Sequence, residues 1–305
     1  MILMTTETSH IPVLLKEVID FLEFAPEDKI FLDATLGAGG HSAEVCRKFP
    51  FMRIIGIDVD ETSAKIAEKN LAGICKQFEI KITNFRNLEN VLSELKIAEV
   101  DKVLFDLGMS SMQIDSATRG FSFLRDEPLL MTMNNDLSEG TLTAYEIVNG
   151  WPKEDLRQIL KEYGEESFAS QIADQIIKER KNHKIETTFG LVKVIIDATP
   201  EFYHHGRINP ATKTFQALRI AVNDELNAIK EGLEQAFHKL KKGGRMAVIS
   251  FHSGEDRIVK TFFKQLKTDD KAILINKKPI LATLEEIEAN PRSRSAKLRV
   301  IEKNV

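Results

Sequence analysis

The segment Asp33-Ala-Thr-Leu-Gly37-Ala-Gly39-Gly40-His41-Ser42 stands between the apolar run Ile30–Leu32 and a stretch with helical spacing. Glycines at a strand-to-helix turn let a ligand approach the backbone, and the helix N-terminus offers free N–H groups. Asp58 follows 21 residues after Gly37, at the carboxyl end of the second apolar run, Arg53–Asp58. A carboxylate about 20 residues beyond such a turn is placed to accept hydrogen bonds from a ribose in a Rossmann-type unit. The competing reading makes Asp58 a cap for the helix that starts near Glu61, a task that Asp60 could also perform. The pair of signals favours nucleoside binding. The dinucleotide fingerprint needs a third glycine five residues after the first, and that position holds Ser42. The loop therefore suits a nucleoside without a pyrophosphate, such as S-adenosylmethionine, better than NAD.

Two further segments end apolar runs. Leu104-Phe-Asp106-Leu-Gly-Met-Ser-Ser111 puts Asp106 where open α/β sheets bind ligands, beyond the carboxyl ends of the strands. Its plain alternative is a turn-forming Asp before Gly108. Ile249-Ser-Phe-His252-Ser-Gly-Glu-Asp256 puts His252 at another strand end, where a histidine is more often structural than substrate-binding.

Those side chains need a sheet to converge on. Apolar strand patterns at Ile30–Leu32, Arg53–Asp58, Phe78–Phe85 and Val100–Leu107 alternate with helical patterns from Ser42 to near Pro50, Glu61–Leu71 and Asn87–Leu95. Such alternation implies a parallel sheet with crossover helices. From about Ser110 to Asn209 the strand runs stop, and helical stretches at Pro152–Glu162, Phe168–Lys181 and Gly190–Ala198 take over. Thr212–Leu240 then reads as one long helix, with Phe215, Leu218, Val222, Leu226, Ile229 and Leu233 on one stripe. After a turn at Lys242-Gly-Gly244 come a strand at Met246–Phe251, a helix at Asp256–Gln265, and a closing strand pair at Ala272–Ile275 and Lys297–Ile301. The expected organisation is a discontinuous α/β domain, residues 1–110 and 210–305, interrupted by a helical domain at 111–209.

A net charge of −4 argues against binding nucleic acid by bulk charge, and leaves local runs at Lys178–Lys184, Lys239–Arg245 and Arg292–Arg299. No apolar run reaches the roughly 18 residues of a membrane span, and the start lacks the pattern of an export signal. Cys46 and Cys75 have no partner at metal-ligand spacing, so they read as buried reduced thiols rather than as a zinc site or a disulfide. These features together point to the cytoplasm, with no metal and no membrane partner.

The chain closely resembles the RsmH (MraW) methyltransferases, which methylate N4 of a cytosine in the decoding region of bacterial 16S ribosomal RNA. The likeness runs through His10-Ile-Pro-Val-Leu-Leu, Asp33–Ser42, Gly56-Ile-Asp-Val-Asp60, Phe105–Ser111, Arg119-Gly-Phe-Ser-Phe123 and Tyr163-Gly-Glu-Glu. It continues through Asn209-Pro-Ala-Thr-Lys-Thr-Phe-Gln-Ala-Leu-Arg-Ile220, Ser250–Lys260 and Asn290-Pro-Arg-Ser-Arg-Ser-Ala-Lys-Leu-Arg299. The resemblance implies a class I, Rossmann-like methyltransferase sheet with an inserted all-helical domain. It also implies S-adenosylmethionine contacts at Gly39, Gly40, His41, Asp58, Phe85, Asp106 and Gln113. Leu130 and Thr132 stand where the family usually has Asp and Arg, and Gly254 where it commonly has Leu.

The chemistry that follows is an in-line displacement in which the protein mainly supplies alignment. The amine of cytosine is a poor nucleophile, so an acceptor beside it would help, and Asp106 is the candidate. The base must leave its stack to enter the pocket. Phe121, Phe123 and Phe251 could stack, although a core role is the commoner one for phenylalanine. Arg119, Arg207, Lys213, Arg219, Arg292 and Arg294 could meet phosphates, and His252 could touch substrate. The expected partner is small-subunit ribosomal RNA, within an assembled or nearly assembled subunit. The sequence leaves the oligomeric state open, a homodimer included. The competing functions are a non-catalytic cofactor-binding ribosome-assembly factor and an NAD-dependent oxidoreductase.

Overall fold

Alternation of short apolar strands with amphipathic helices has one economical packing solution, a parallel sheet covered on both faces. The computed structural model, which describes residues 11–108, 118–133, 140–206 and 208–305, contains that sheet. Its strands are β1 (Ile30–Asp33), β2 (Arg53–Asp58), β3 (Gln77–Ile82), β4 (Val100–Asp106), β5 (Leu240–Ser250), β6 (Ala272–Leu274), β7 (Ile280–Leu281) and β8 (Lys297–Lys303). The order is β3-β2-β1-β4-β5-β8-β6, with β7 also paired to β8. The first five strands are mutually parallel, and β8 runs antiparallel to both β5 and β6. The chain divides into two compact units, Met1–Ser110 with Leu226–Val305, and Ser111–Glu225.

In the first unit the two faces of the sheet bury different residues, as the period of two requires. Leu32, Ile55, Val103, Phe105, Met246 and Val248 meet α4 (Leu88–Glu94), α11 (Glu225–Lys239) and α12 (Ser253–Thr268). Phe31, Ile54, Leu104, Ala247 and Ile249 meet α1 (Leu15–Leu22), α2 (Gly40–Lys48) and α3 (Glu61–Leu71). The register aligns Asp33 with Gly56 and Leu104, and Asp106 with Ile249, so the carboxyl ends of β1, β2, β4 and β5 finish along one edge.

The second unit is helical: α5 (Ala144–Gly150), α6 (Lys153–Glu162), α7 (Ala169–Glu179), α8 (Thr188–Ala198), the single turn α9 (Glu201–His204) and α10 (Ala211–Asn223). Its core is separate, built from Leu129, Ile147, Leu160, Ile172, Leu191 and Phe215 among others. Helix starts are fixed by local capping. Thr143 and Glu146 form a reciprocal capping box at α5, and Thr187 accepts from the Gly190 amide at α8. Leu130 and the buried Thr132 lie in a segment held by main-chain bonds, with Met131 N donating to Arg119 O at 2.7 Å and Ala144 N donating to Leu130 O at 2.9 Å.

Several expectations need correction. Thr212–Leu240 is two helices, because Asp224 adopts a left-handed conformation (φ 49°) that ends α10 before α11 begins. A periodic apolar stripe cannot reveal such a break. Strand β3 stops at Ile82, and Phe85 sits instead in a short 3-10 turn, Phe85–Asn87, which Asn84 caps by accepting from the Arg86 amide. Lys242–Gly244 lies within β5, which begins at Leu240 and takes a register shift opposite Val100 and Lys102. Cys46 and Cys75 are joined by a disulfide rather than being free thiols. The 29 residues between them hide their closeness. Helices α2 and α3 pack side by side, bringing the end of α2 and the residues after α3 to a Cα separation of 5.1 Å. No helix among the described residues is long and apolar enough to cross a membrane.

Candidate functional site

The glycine turn after β1 is held from three sides. Leu36 N donates to Ile57 O at 2.9 Å, and Gly39 N donates to Leu36 O at 2.8 Å. Gly37 N donates to the Asp58 carboxylate at 2.7 Å. Gly39 is the N-cap of α2 with φ 78°, and a Cβ there would sit 3.3 Å from the Cβ of Ala67 on α3. Glycine is required both for the backbone angle and for the closeness of α3. A Cβ on Gly40 would lie 2.4 Å from the Pro12 ring.

Asp58 receives a second hydrogen bond, from the Asp60 amide at 2.8 Å. Capping of α3 belongs to Asp60, which accepts from the Thr62 and Ser63 amides and from the Ser63 hydroxyl. Asp58 is thus not the cap; it braces the glycine turn and keeps further lone pairs at the strand edge. Burial pushes its carboxyl above the ordinary range, opposed by the Asp60 and Gly37 amides.

At the ends of β1 and β4 and in the first turn of α12, which follows β5, stand three carboxyl groups, Asp33, Asp106 and Glu255. Asp33, 1 % exposed, accepts the Ser42 hydroxyl at 2.7 Å. Burial raises it to about 6, against the lowering effect of Ser42 and the Thr35 amide. Thr35 accepts from the Asp106 amide at 2.5 Å, tying the β1 turn to the end of β4. Asp106 is pushed well above the ordinary carboxylate range by burial first, then by the charges of Asp33 and Glu255. Its Oδ1 is sealed from solvent and has no hydrogen-bond partner among the described residues. Its Oδ2 lies 3.8 Å from Nδ1 of His41, whose Nε2 faces the Val13 carbonyl at 3.0 Å. Such a site favours a cation, which would satisfy the orphan oxygen and relieve the crowding of acids.

Glu255 and Asp33 are functional candidates that sequence reading missed. Glu255 accepts from the amides of Phe251 and His252 at 2.7 and 3.2 Å, while the His252 ring accepts from the Glu255 amide. This is a capping box at α12 with histidine in the usual Ser or Thr position. The spacing His252-x-x-Glu255 was its available signal. His252 therefore anchors α12. The Phe251 ring packs where a Cβ on Gly108 would fall, 3.3 Å from its Cδ2.

The remaining candidates separate. Phe85 turns its edge to Phe105 at 5.6 Å and closes over Gly232, where a Cβ would sit 2.6 Å from its ring. Arg292 and Arg294 are exposed on the 3-10 turn Pro291–Ser295 of the first unit. In the second unit, Arg119 donates to Met133 O and lies over the Phe121 ring at 5.5 Å, and Phe123 packs edge-on against Phe215. Arg219 forms a two-pronged ion pair with Glu225 at 2.8 and 2.9 Å, and Lys213 donates to Glu165 O. Gln113 and Arg207 lie outside the described residues.

This strand order, with one antiparallel strand between two parallel ones and a glycine turn facing strand-end aspartates, defines a Rossmann-like methyltransferase fold. The chain belongs to the MraW methylase family, which matches it over residues 7–304. It is 47% identical over 295 residues to the ribosomal RNA small subunit methyltransferase H of Sulfurihydrogenibium sp. (strain YO3AOP1), covering 95% of this chain and 98% of the relative. The protein of the same name from Dictyoglomus thermophilum is 46% identical over 97% of each chain. That from Clostridium botulinum (strain Kyoto / Type A2) is 44% identical over 97% of this chain and 99% of its own.

Proposed function

We propose that this protein methylates a ribosomal RNA, using S-adenosylmethionine to modify N4 of a cytosine in the decoding region of the small-subunit RNA. The observation that carries the cofactor is the orphaned Asp106 Oδ1 beside the buried carboxyls of Asp33 and Glu255, next to a glycine turn with open space at Gly37. S-adenosylmethionine carries its methyl group on a positive sulfonium and has a cationic amino group, which is the charge this site lacks. Gly39, Gly40 and His41 line the turn, Asp58 accepts from the ribose hydroxyls, and Phe85 flanks the nucleoside. Asp106 also orients the amine of the incoming base, holding its lone pair toward the methyl group. Alignment of this kind supplies much of the rate.

The RNA target rests on the family and on the names of its relatives, which cover nearly the whole chain. Arg119, Phe121, Phe123, Arg219, His252, Arg292 and Arg294 remain the substrate-binding proposals. Among them the exposed Arg292 and Arg294 are the best placed to meet phosphates. A ribosomal substrate supports a cytoplasmic location. The test is transfer of labelled methyl from S-adenosylmethionine to small-subunit RNA, free and in particles, followed by mass mapping of the modified nucleoside. Label on N4 of one cytosine is expected. No transfer to any assembly state would end the reading, and label on another atom would end its finer part.

A further inference from the structure

Helix α12 leaves the candidate site at His252 and carries Lys260, Lys264 and Lys267 at spacings of four and three, which place them on one exposed face. With Lys277, just beyond β6, they rim a groove of about 370 Å³ whose floor is Phe263 and Leu274. Between Arg257 and Lys278 the chain has seven basic and two acidic residues, although its overall charge is −4. The neighbouring acid Asp256 is committed elsewhere, and neither Asp269 nor Asp270 forms an ion pair with a groove lysine among the described residues. Asp256 binds Arg299 through both oxygens at 2.7 and 3.2 Å and also faces Lys297, while Asp269 accepts from Gln265. Lys264, Lys267 and Lys277 have no carboxylate within ion-pair distance among the described residues.

We propose that this groove is a second RNA contact, which takes the phosphodiester backbone of the substrate away from the methylated base. The proposal rests on the ribosomal RNA reading above. The three helix lysines span about 10 Å along the axis. One strand of a duplex places about three phosphates in that length. Asn276 and Arg299 also line the groove, but Asn276 is bonded to the main chain of Leu298 and Val300 and Arg299 to Asp256, so what the groove offers RNA is ammonium groups, which position the backbone and do not select sequence. Lysines spread at helical spacing, completed by a loop residue, do not form a run in the sequence, which is why the charge pattern alone did not show them.

The test compares the parent with the triple variant Lys264→Glu/Lys267→Glu/Lys277→Glu and with the corresponding triple Lys→Arg variant. Binding to purified small-subunit RNA is measured from 50 to 300 mM salt. Loss of three phosphate contacts should flatten the slope of log K against log salt by roughly 2–3, and weaken binding at least tenfold at 150 mM. KM for RNA should rise while kcat at saturating RNA and adenosylhomocysteine affinity stay at parental values, and the Arg variant should keep the parental slope. A parental slope and affinity in the Glu variant overturn the proposal. So does weakening confined to assembled particles, which points to an acidic protein partner instead. A parent that neither binds nor methylates the RNA overturns the functional reading itself, a result distinguishable from failure of the groove alone.

Discussion

The Gly37 amide donates to the Asp58 carboxylate at 2.7 Å, so the residue that ends β2 fastens the turn that follows β1. The same carboxylate is the proposed ribose acceptor, and the two roles can be separated. Asp58→Asn keeps one oxygen for the turn and loses the charge, whereas Asp58→Ala loses both. A hydrogen bond to a charged group is worth about 1.5–3 kcal/mol. Asp58→Ala should therefore weaken adenosylhomocysteine binding roughly 10- to 100-fold, with Asp58→Asn in between. Isothermal titration reads the affinity, and unchanged binding in Asp58→Ala would remove Asp58 from the site.

Asp33 makes stability depend on pH in a direction opposite to that of most carboxylates. Its carboxyl lies at about 6 in the folded protein against an ordinary 3.8, so the folded state binds its proton more tightly. The associated stability is present in full below about pH 4 and is lost as pH rises through about 6. A displacement of this size corresponds to about 3 kcal/mol. Asp33→Asn mimics the protonated form and should lose this component of the pH dependence. Thermal melts of both proteins from pH 4 to 7 should diverge, with Asp33→Asn gaining relative to the parent toward neutral pH. Parallel curves would mean that Asp33 is not displaced.

Asp106 should couple cofactor binding to proton release. Burial, Asp33 and Glu255 all favour its neutral form in the free protein, whereas a cation seated against it favours the carboxylate. Affinity for S-adenosylmethionine should then rise as pH rises through the raised pKa of Asp106. In Asp106→Asn that component should vanish, and methyl transfer should fall by about 10²-fold or more, the scale of one aligned electrostatic contact in an active site. Titrations in two buffers of different ionisation enthalpy count the protons released. Equal counts for parent and variant would exclude the coupling.

Much of the site was legible because α/β topology converts sequence position into spatial position. A residue that ends a parallel strand lands at the carboxyl edge of the sheet, and Asp58 and Asp106 do so. What stayed hidden depends on contacts between distant segments. The Ser42–Asp33 bond was within reach of local reading, but the crowding of Asp33, Asp106 and Glu255 joins two strand ends and a helix start separated by up to 222 residues. Phe85 illustrates another limit. Its apolar character fits a strand, and Asn84 decides the matter by capping a 3-10 turn. The left-handed Asp224 likewise breaks a helix whose apolar stripe runs on unchanged.

Cys46 and Cys75 test whether the helices beneath the glycine turn depend on their cross-link. The bond joins the end of α2 to the residues after α3, and the start of α2 packs against the later half of α3, where Gly39 approaches Ala67 and Leu71. Both cysteines are buried, so the bond is shielded from exchange in the folded protein. Closing a loop of about 30 residues removes unfolded-state entropy worth about 3–4 kcal/mol. The oxidised protein should melt on the order of 5–10 °C above Cys46→Ser/Cys75→Ser. Prolonged reduction after partial unfolding should bring the parent down to the variant and leave the variant itself unchanged. If the purified parent, unfolded without reductant, takes up two equivalents of a thiol reagent, the cysteines are free as isolated and the two proteins should differ only by the packing of two sulfur atoms.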